Sequence, residues 1–257
     1  MKRRNCLTCL RIGSPPLGLF VLLAFVVGSL AEEAPVEAPP VTNPAAFADP
    51  ISTYRIYINA VRKTDSAAAK SCFTIAGDNG SGALDVIAGL WTSTRRLDQI
   101  ATKKLGVEAA RVILEPIGFS RGDLRDAALD LTEKRLTGAL VRFVGDDKAE
   151  LVIKWQDDDG SPNEAFEFHG DDPVGFSKVN GAWKIDANHQ IGGLSGEDFL
   201  KQGTWGAAFR DHVKIANEAS DRMTKGTLKT PEELKEFLAR EVSAAEKRYK
   251  DAVEPPR

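Results

Sequence analysis

Few side chains in this chain have the type and spacing for chemistry. Histidine occurs three times, as His169, His189 and His212. Zinc sites draw on closely spaced His or Cys, such as two histidines one helical turn apart. These three fall in three different elements, so no metal and no cofactor is expected. His169 ends an alternating strand and is followed by Asp171 and Asp172. A carboxylate there would orient the imidazole for acid–base work, against the plainer reading of a solvated strand end. His189 stands just past a hairpin, and His212 lies near the apolar face of a helix. Asp157, Asp159, Ser161 and Asn163 alternate like calcium ligands, but the twelfth residue, where a bidentate Glu belongs, is Phe168. Gly80-Ser81-Gly82 is too short for a phosphate loop and follows no strand. Cys72 has only Lys70 as a basic neighbour and reads as a small buried hydrophobe.

These residues need elements to position them. Asp49-Pro50 is an N-cap followed by proline at the first helical position, and Ile51, Tyr54, Ile58 and Val61 recur at helical spacing. Asp65 caps a second helix expected to run through Cys72, Phe73 and Ala76. Leu84, Ile87, Trp91 and Leu97 mark a third, which Gly106 ends. Residues 108–135, broken by Pro116 and Gly118, read as short helices. From Thr137 the pattern turns to strands: 140–144, 149–155, 165–169, 174–179 and 182–185. Gly145-Asp146-Asp147 and Asn180-Gly181 form the hairpin turns. Helical period returns after Gly193, with Trp205, Phe209, Val213, Ala216 and Met223 on one face. Thr230-Pro231-Glu232-Glu233 is the capping box of a last helix. The expectation is an α+β fold: several helices followed by antiparallel strands, with a C-terminal helical hairpin on their sheet.

The N-terminus reads as an export signal. Lys2, Arg3, Arg4 and Arg11 precede the apolar run Leu17–Val27, and Ser29-Leu30-Ala31 offers small residues for cleavage. Cleavage would start the mature chain near Glu32, periplasmic or secreted. The alternative is a membrane anchor formed by an uncleaved segment 12–31. Cys6 and Cys9 would be lost with the signal, leaving Cys72 alone and no internal disulfide. Residues 32–48, rich in Pro and Ala, form a linker. The remaining boundaries are 49–190 for the α+β body and 195–252 for a helical extension. Of 257 residues, those after 31 carry 30 basic and 37 acidic groups, net −7. Such a chain has no electrostatic footprint for nucleic acid.

Two passages carry a resemblance. Tyr57-Ile58-Asn59-Ala60-Val61-Arg62-Lys63-Thr64-Asp65, running on to Phe73, resembles the opening helices of the nuclear transport factor 2-like superfamily. This superfamily includes SnoaL-like and ketosteroid-isomerase-like proteins with a cystatin-like cone fold. Phe176-Ser177-Lys178-Val179-Asn180-Gly181-Ala182-Trp183-Lys184-Ile185 resembles its closing hairpin. The likeness covers about residues 49–190; the helical region 78–136 and the tail after 195 depart from it. It implies that the antiparallel sheet is curved with the N-terminal helices packed in it, a cone-shaped cavity, and pairing of two copies through the open sheet face. In ketosteroid-isomerase-like members a tyrosine at the place of Tyr57 donates to the substrate oxyanion, and a carboxylate after the second helix is the base. Asp78 is the acid available there. Without a secure catalytic set, the sequence reads as an exported module binding a small apolar ligand or an envelope protein. The alternative is an isomerase- or dehydratase-like enzyme working through Tyr57.

Overall fold

The computed structural model describes residues 47–78, 82–153, 173–201 and 204–253. Helix α1 spans Pro50–Lys63. It starts where the Asp49 carboxylate accepts from the Ser52 amide at 2.9 Å and Pro50 sets the first turn. Helix α2, Ser66–Ser71, is capped by Asp65, which accepts from the Ala68 amide at 2.9 Å. It is shorter than the sequence pattern promised. Cys72 caps its end, and Phe73–Thr74 form strand β1. The physical reason lies far along the chain: Phe73 pairs with Ile185, so a sheet edge captures residues whose local pattern is helical.

Helix α3, Ala83–Leu105, is followed by α4, Val107–Leu114, and α5, Asp126–Arg135, with short 3-10 turns between. Strands β2 (Leu140–Phe143), β3 (Lys148–Val152), β4 (Val174–Val179) and β5 (Ala182–Asp186) complete the sheet. Its order is β1-β5-β4-β3-β2. The sheet is mixed, which corrects the expectation of an antiparallel one: β2 to β5 pair antiparallel, but β1 runs parallel to β5. Asn180 and Gly181 both take positive φ, 50° and 81°, as a tight primed turn between β4 and β5 requires. The expected strand 165–169 and the oxygen-rich segment 157–163 lie outside the described residues.

Short helices α6 (Ala187–Gln190) and α7 (Gly196–Phe199) lead to α8 (Trp205–Lys225) and α9 (Pro231–Val253). The capping box at the start of α9 forms as read: the Glu233 amide donates to Thr230 Oγ1, and Glu233 Oε2 accepts from the Thr230 amide.

Two apolar cores result. One lies between α1, α2, the first half of α3 and the inner sheet face, centred on Tyr54, Tyr57, Ile58, Phe73, Leu151, Phe176 and Ile185. The other joins the second half of α3 to α4, α8 and α9 through Leu97, Leu114, Ala216, Met223, Leu234 and Phe237. The expected placement of the last two helices on the sheet is therefore corrected: their buried faces meet α3 and α4. Among the described residues no helix is long and apolar enough to cross a membrane.

Helix α3 belongs to both cores, and between them its residues Thr92, Ser93, Thr94 and Arg95 are all buried. Four consecutive buried positions mean the helix is covered on every side, so each polar group must find a partner inside. Thr92 Oγ1 bonds Ser66 Oγ at 2.7 Å, and Thr94 Oγ1 meets His212 Nε2 at 2.9 Å. Arg95, 5% exposed, donates to the carbonyls of Arg62 and Leu124 and pairs with Asp126. Replacing Arg95 by Met would leave two carbonyl acceptors without that donor. Urea unfolding of Arg95→Met should show a loss of about 3 kcal/mol, whereas Arg96→Met, which breaks a solvated pair with Asp221, should lose under about 1 kcal/mol.

Candidate functional site

Tyr57 sits on the α1 face that packs against the sheet and is fully buried. The helical period puts Tyr54 and Tyr57 side by side, with ring centroids 6.0 Å apart. The Tyr57 ring stands edge-on to Phe73 of β1 at 5.0 Å and 84°. One turn before Tyr57 on this face, Thr53 Oγ1 donates to the Trp183 carbonyl of β5 at 3.0 Å, which fixes α1 over the β4–β5 hairpin.

Burial pushes the Tyr57 phenol well above its ordinary range, and neighbouring Tyr54 and Cys72 push it the same way. Tyr54 is raised by burial alone. The Tyr54 hydroxyl, completely buried, has no hydrogen-bond partner among the described residues. Cys72 completes the group. Its thiol is pushed up to about 12 by burial, against the opposing pull of Lys184 and Ser71. These side chains present neutral hydroxyls and a neutral thiol in apolar surroundings, a set that donates hydrogen bonds and does not take up protons at neutral pH.

Asp78 stands at the start of α3. Its Oδ1 accepts from the Ala83 amide at 3.1 Å and its Oδ2 from the Leu84 amide at 3.2 Å. Both carboxylate oxygens thus serve the free N–H groups that open the helix. Its Cβ also lies 2.9 Å from where a Cβ on Gly196 would sit, so the loop is pressed against α7. His169 lies outside the described residues. His189 is on α6, its side chain close against Gly175, where an added Cβ would come within 2.8 Å of it. His212 is buried in α8, stacked on Phe119 at 4.0 Å. His189 and His212 are in separate places, and among the described residues no group of His, Cys, Asp or Glu could hold a metal ion.

A cluster that sequence reading missed lies on the sheet's outer face. Lys148 Nζ donates to Ser177 Oγ at 2.5 Å and to Asp186 Oδ2 at 2.9 Å, and Ser177 Oγ donates to the same carboxylate oxygen at 2.7 Å. Burial raises Asp186, but the bonds from Ser177 and Lys148 outweigh it and hold the carboxyl below the usual carboxylate range. Serine nucleophiles activated by lysine require a neutral amine that accepts the hydroxyl proton. Here the amine donates to the serine, and the serine proton points at a carboxylate. The cluster ties β3, β4 and β5 together and caps α6, whose Asn188 amide donates to Asp186 Oδ1 at 3.1 Å. The opposition of Lys148 to Ser177 depends on strand register, which residue types alone do not specify.

No family model matches this chain, and neither a curated protein nor a solved structure does.

Two outcomes follow from the interior group. Tyr54→Phe deletes a buried hydroxyl that has no partner among the described residues and should raise stability by about 1 kcal/mol in urea unfolding. Cys72 should resist a thiol reagent at pH 8 in the native protein and react at the rate of a free thiol once unfolded. Rapid native labelling would show the thiol to be open to solvent.

Proposed function

We propose that the chain is an exported, non-catalytic binding module on a cone-like α+β fold with a C-terminal helical hairpin. It takes a small apolar ligand or a protein of the cell envelope. The observation that carries this reading is the position of Asp78. The one acid that the nuclear transport factor 2-like resemblance offers as a base directs both its oxygens at the first amides of α3. A general base must reach the proton it removes, and this carboxylate is occupied as a helix cap.

The resemblance itself gains support from contact between the two passages that suggest it. Phe73 at the end of the first pairs with Ile185 of the second, and Thr53, just before the first, bonds to Trp183 of the second. Export rests on the charge and apolar pattern of residues 1–31, and a periplasmic or secreted location follows from it. A second reading, an isomerase- or dehydratase-like enzyme with Tyr57 as oxyanion donor, draws on the same buried hydroxyl: a neutral donor in dry surroundings stabilises developing negative charge.

Deuterium incorporation separates the two. Incubated in heavy water with small ketones, the protein should label the carbon next to the carbonyl no faster than buffer does, and Tyr57→Phe should change nothing. Labelling that is lost in Tyr57→Phe would overturn the binding-module reading. Intact mass of the exported protein should correspond to a chain starting near Glu32. Retention of residues 1–31 would replace export by membrane anchoring.

A further inference from the structure

His212 lies where the two cores meet, and no role proposed above uses it. It projects from α8 into a site walled by Thr94 of α3, at 2.9 Å, and by the Phe119 ring, stacked at 4.0 Å with 12° between planes. It is 8% exposed. The tautomer follows from Thr94. That hydroxyl has one proton, and its oxygen lies 2.7 Å from the Leu90 carbonyl, which only accepts. The Thr94 proton goes to Leu90, so His212 Nε2 carries a hydrogen and donates to Thr94. The neutral ring then has its bare nitrogen at Nδ1.

The charges around the ring come from every packed element. From the 118–121 segment the group acting on it is Arg121, a cation that disfavours a second positive charge. On α3, Arg95 is turned to Asp126, and Arg96 is paired with Asp221 of α8. On α8 the neighbouring Asp211 is paired with Arg248 of α9. The carboxylates named here are thus engaged by arginines, and Thr94 is the ring's hydrogen-bond partner among the described residues.

We propose that His212 is a proton-operated pin between α3 and α8: neutral, it holds α8 to α3 through Thr94, and once protonated at Nδ1 it keeps that bond but carries a charge in a buried, ring-stacked site, which α8 relieves by leaving α3. Burial first, and Arg121 second, bring the imidazole from 6.5 down to about 4. A folded value below the unfolded one means that the unfolded chain takes up the proton first. The stabilisation is therefore complete above pH 6.5 and is lost as the pH falls from 6.5 to about 4. The separation corresponds to an unfolding constant raised about 150-fold at pH 4 and about 300-fold at the limit well below it.

The test is urea unfolding of the full chain and of His212→Gln, whose amide can donate to Thr94 but does not titrate. The ratio of the two unfolding constants should change by about 150-fold between pH 7.5 and pH 4. Parallel pH profiles would overturn the proposal. Should His212→Gln fail to fold, the wild-type ring still decides: its carbon-bound proton, assigned through contact with Phe119, should titrate near pH 4. A midpoint near 6.5 would overturn the pin. Hydrogen exchange compared as protection factors at pH 7 and pH 4.5 reads the motion. Residues 205–225 should lose protection before β3 to β5; loss from the strands first, or uniform loss, would contradict release at α8.

Discussion

A guanidinium buried in the middle of a helix constrains everything around it. Arg95 cannot lose its charge, and with only 5% of its surface exposed it meets little water, so the surrounding chain must bring acceptors to it. It does so from three directions: the last turn of α1 supplies the Arg62 carbonyl, the segment before α5 supplies the Leu124 carbonyl, and α5 supplies Asp126. None of these is next to Arg95 in sequence. The pair with Asp126 is half solvated, since that carboxylate is 72% exposed, which spares the molecule the cost of burying two full charges.

Around Arg95 the rest of α3 falls into place. Toward its N-terminus the helix covers α1, α2 and the sheet; toward its C-terminus it meets α4, α8 and α9. Close approach to α8 is possible because Gly89 carries no side chain where a Cβ would sit 3.1 Å from Val213. At the join with α7, Gly206 faces the Phe199 carbonyl, which an added Cβ would meet at 2.0 Å. The polar residues between the cores, Thr92, Thr94 and Arg95, are each satisfied by a different neighbour. A hydrocarbon seam would hold as well but would fix orientation less, because apolar contacts are not directional. The interior tyrosines lie on the sheet side of this seam, His212 on its border.

Much of the local structure is legible in the residue types. Asp49-Pro50, Asp65, Asn180-Gly181 and Thr230 each act through short-range hydrogen bonds or backbone conformation, and each marks the boundary its residue type predicts. The helical stripe picks out Tyr54 and Ile58 as buried, and both are; Tyr57, which stands outside that stripe, comes forward only through the resemblance. What stayed hidden depends on contacts across long stretches of chain. Phe73–Thr74 joins the sheet only because β5 arrives beside it more than a hundred residues later. Nothing in the residue types of Thr92–Arg95 marks them as buried, since polar residues in a helix usually face water; their burial is set by α2, α8 and α5 together. Asp78 could be read as a base or as a cap. Only its distance to the α3 amides separates the two. The packing of α8 on α3 rather than on the sheet was illegible for the same reason: an amphipathic face shows that something covers it, not what.

If α3 and its polar seam unite the two cores, they must unfold together, although each is large enough to have a transition of its own. Differential scanning calorimetry of residues 32–257 at pH 7.5 measures this directly. A single endotherm with equal calorimetric and van't Hoff enthalpies is expected. Two transitions, or a calorimetric enthalpy well above the van't Hoff value, would show that the helical core melts apart from the sheet and that α3 does not join them.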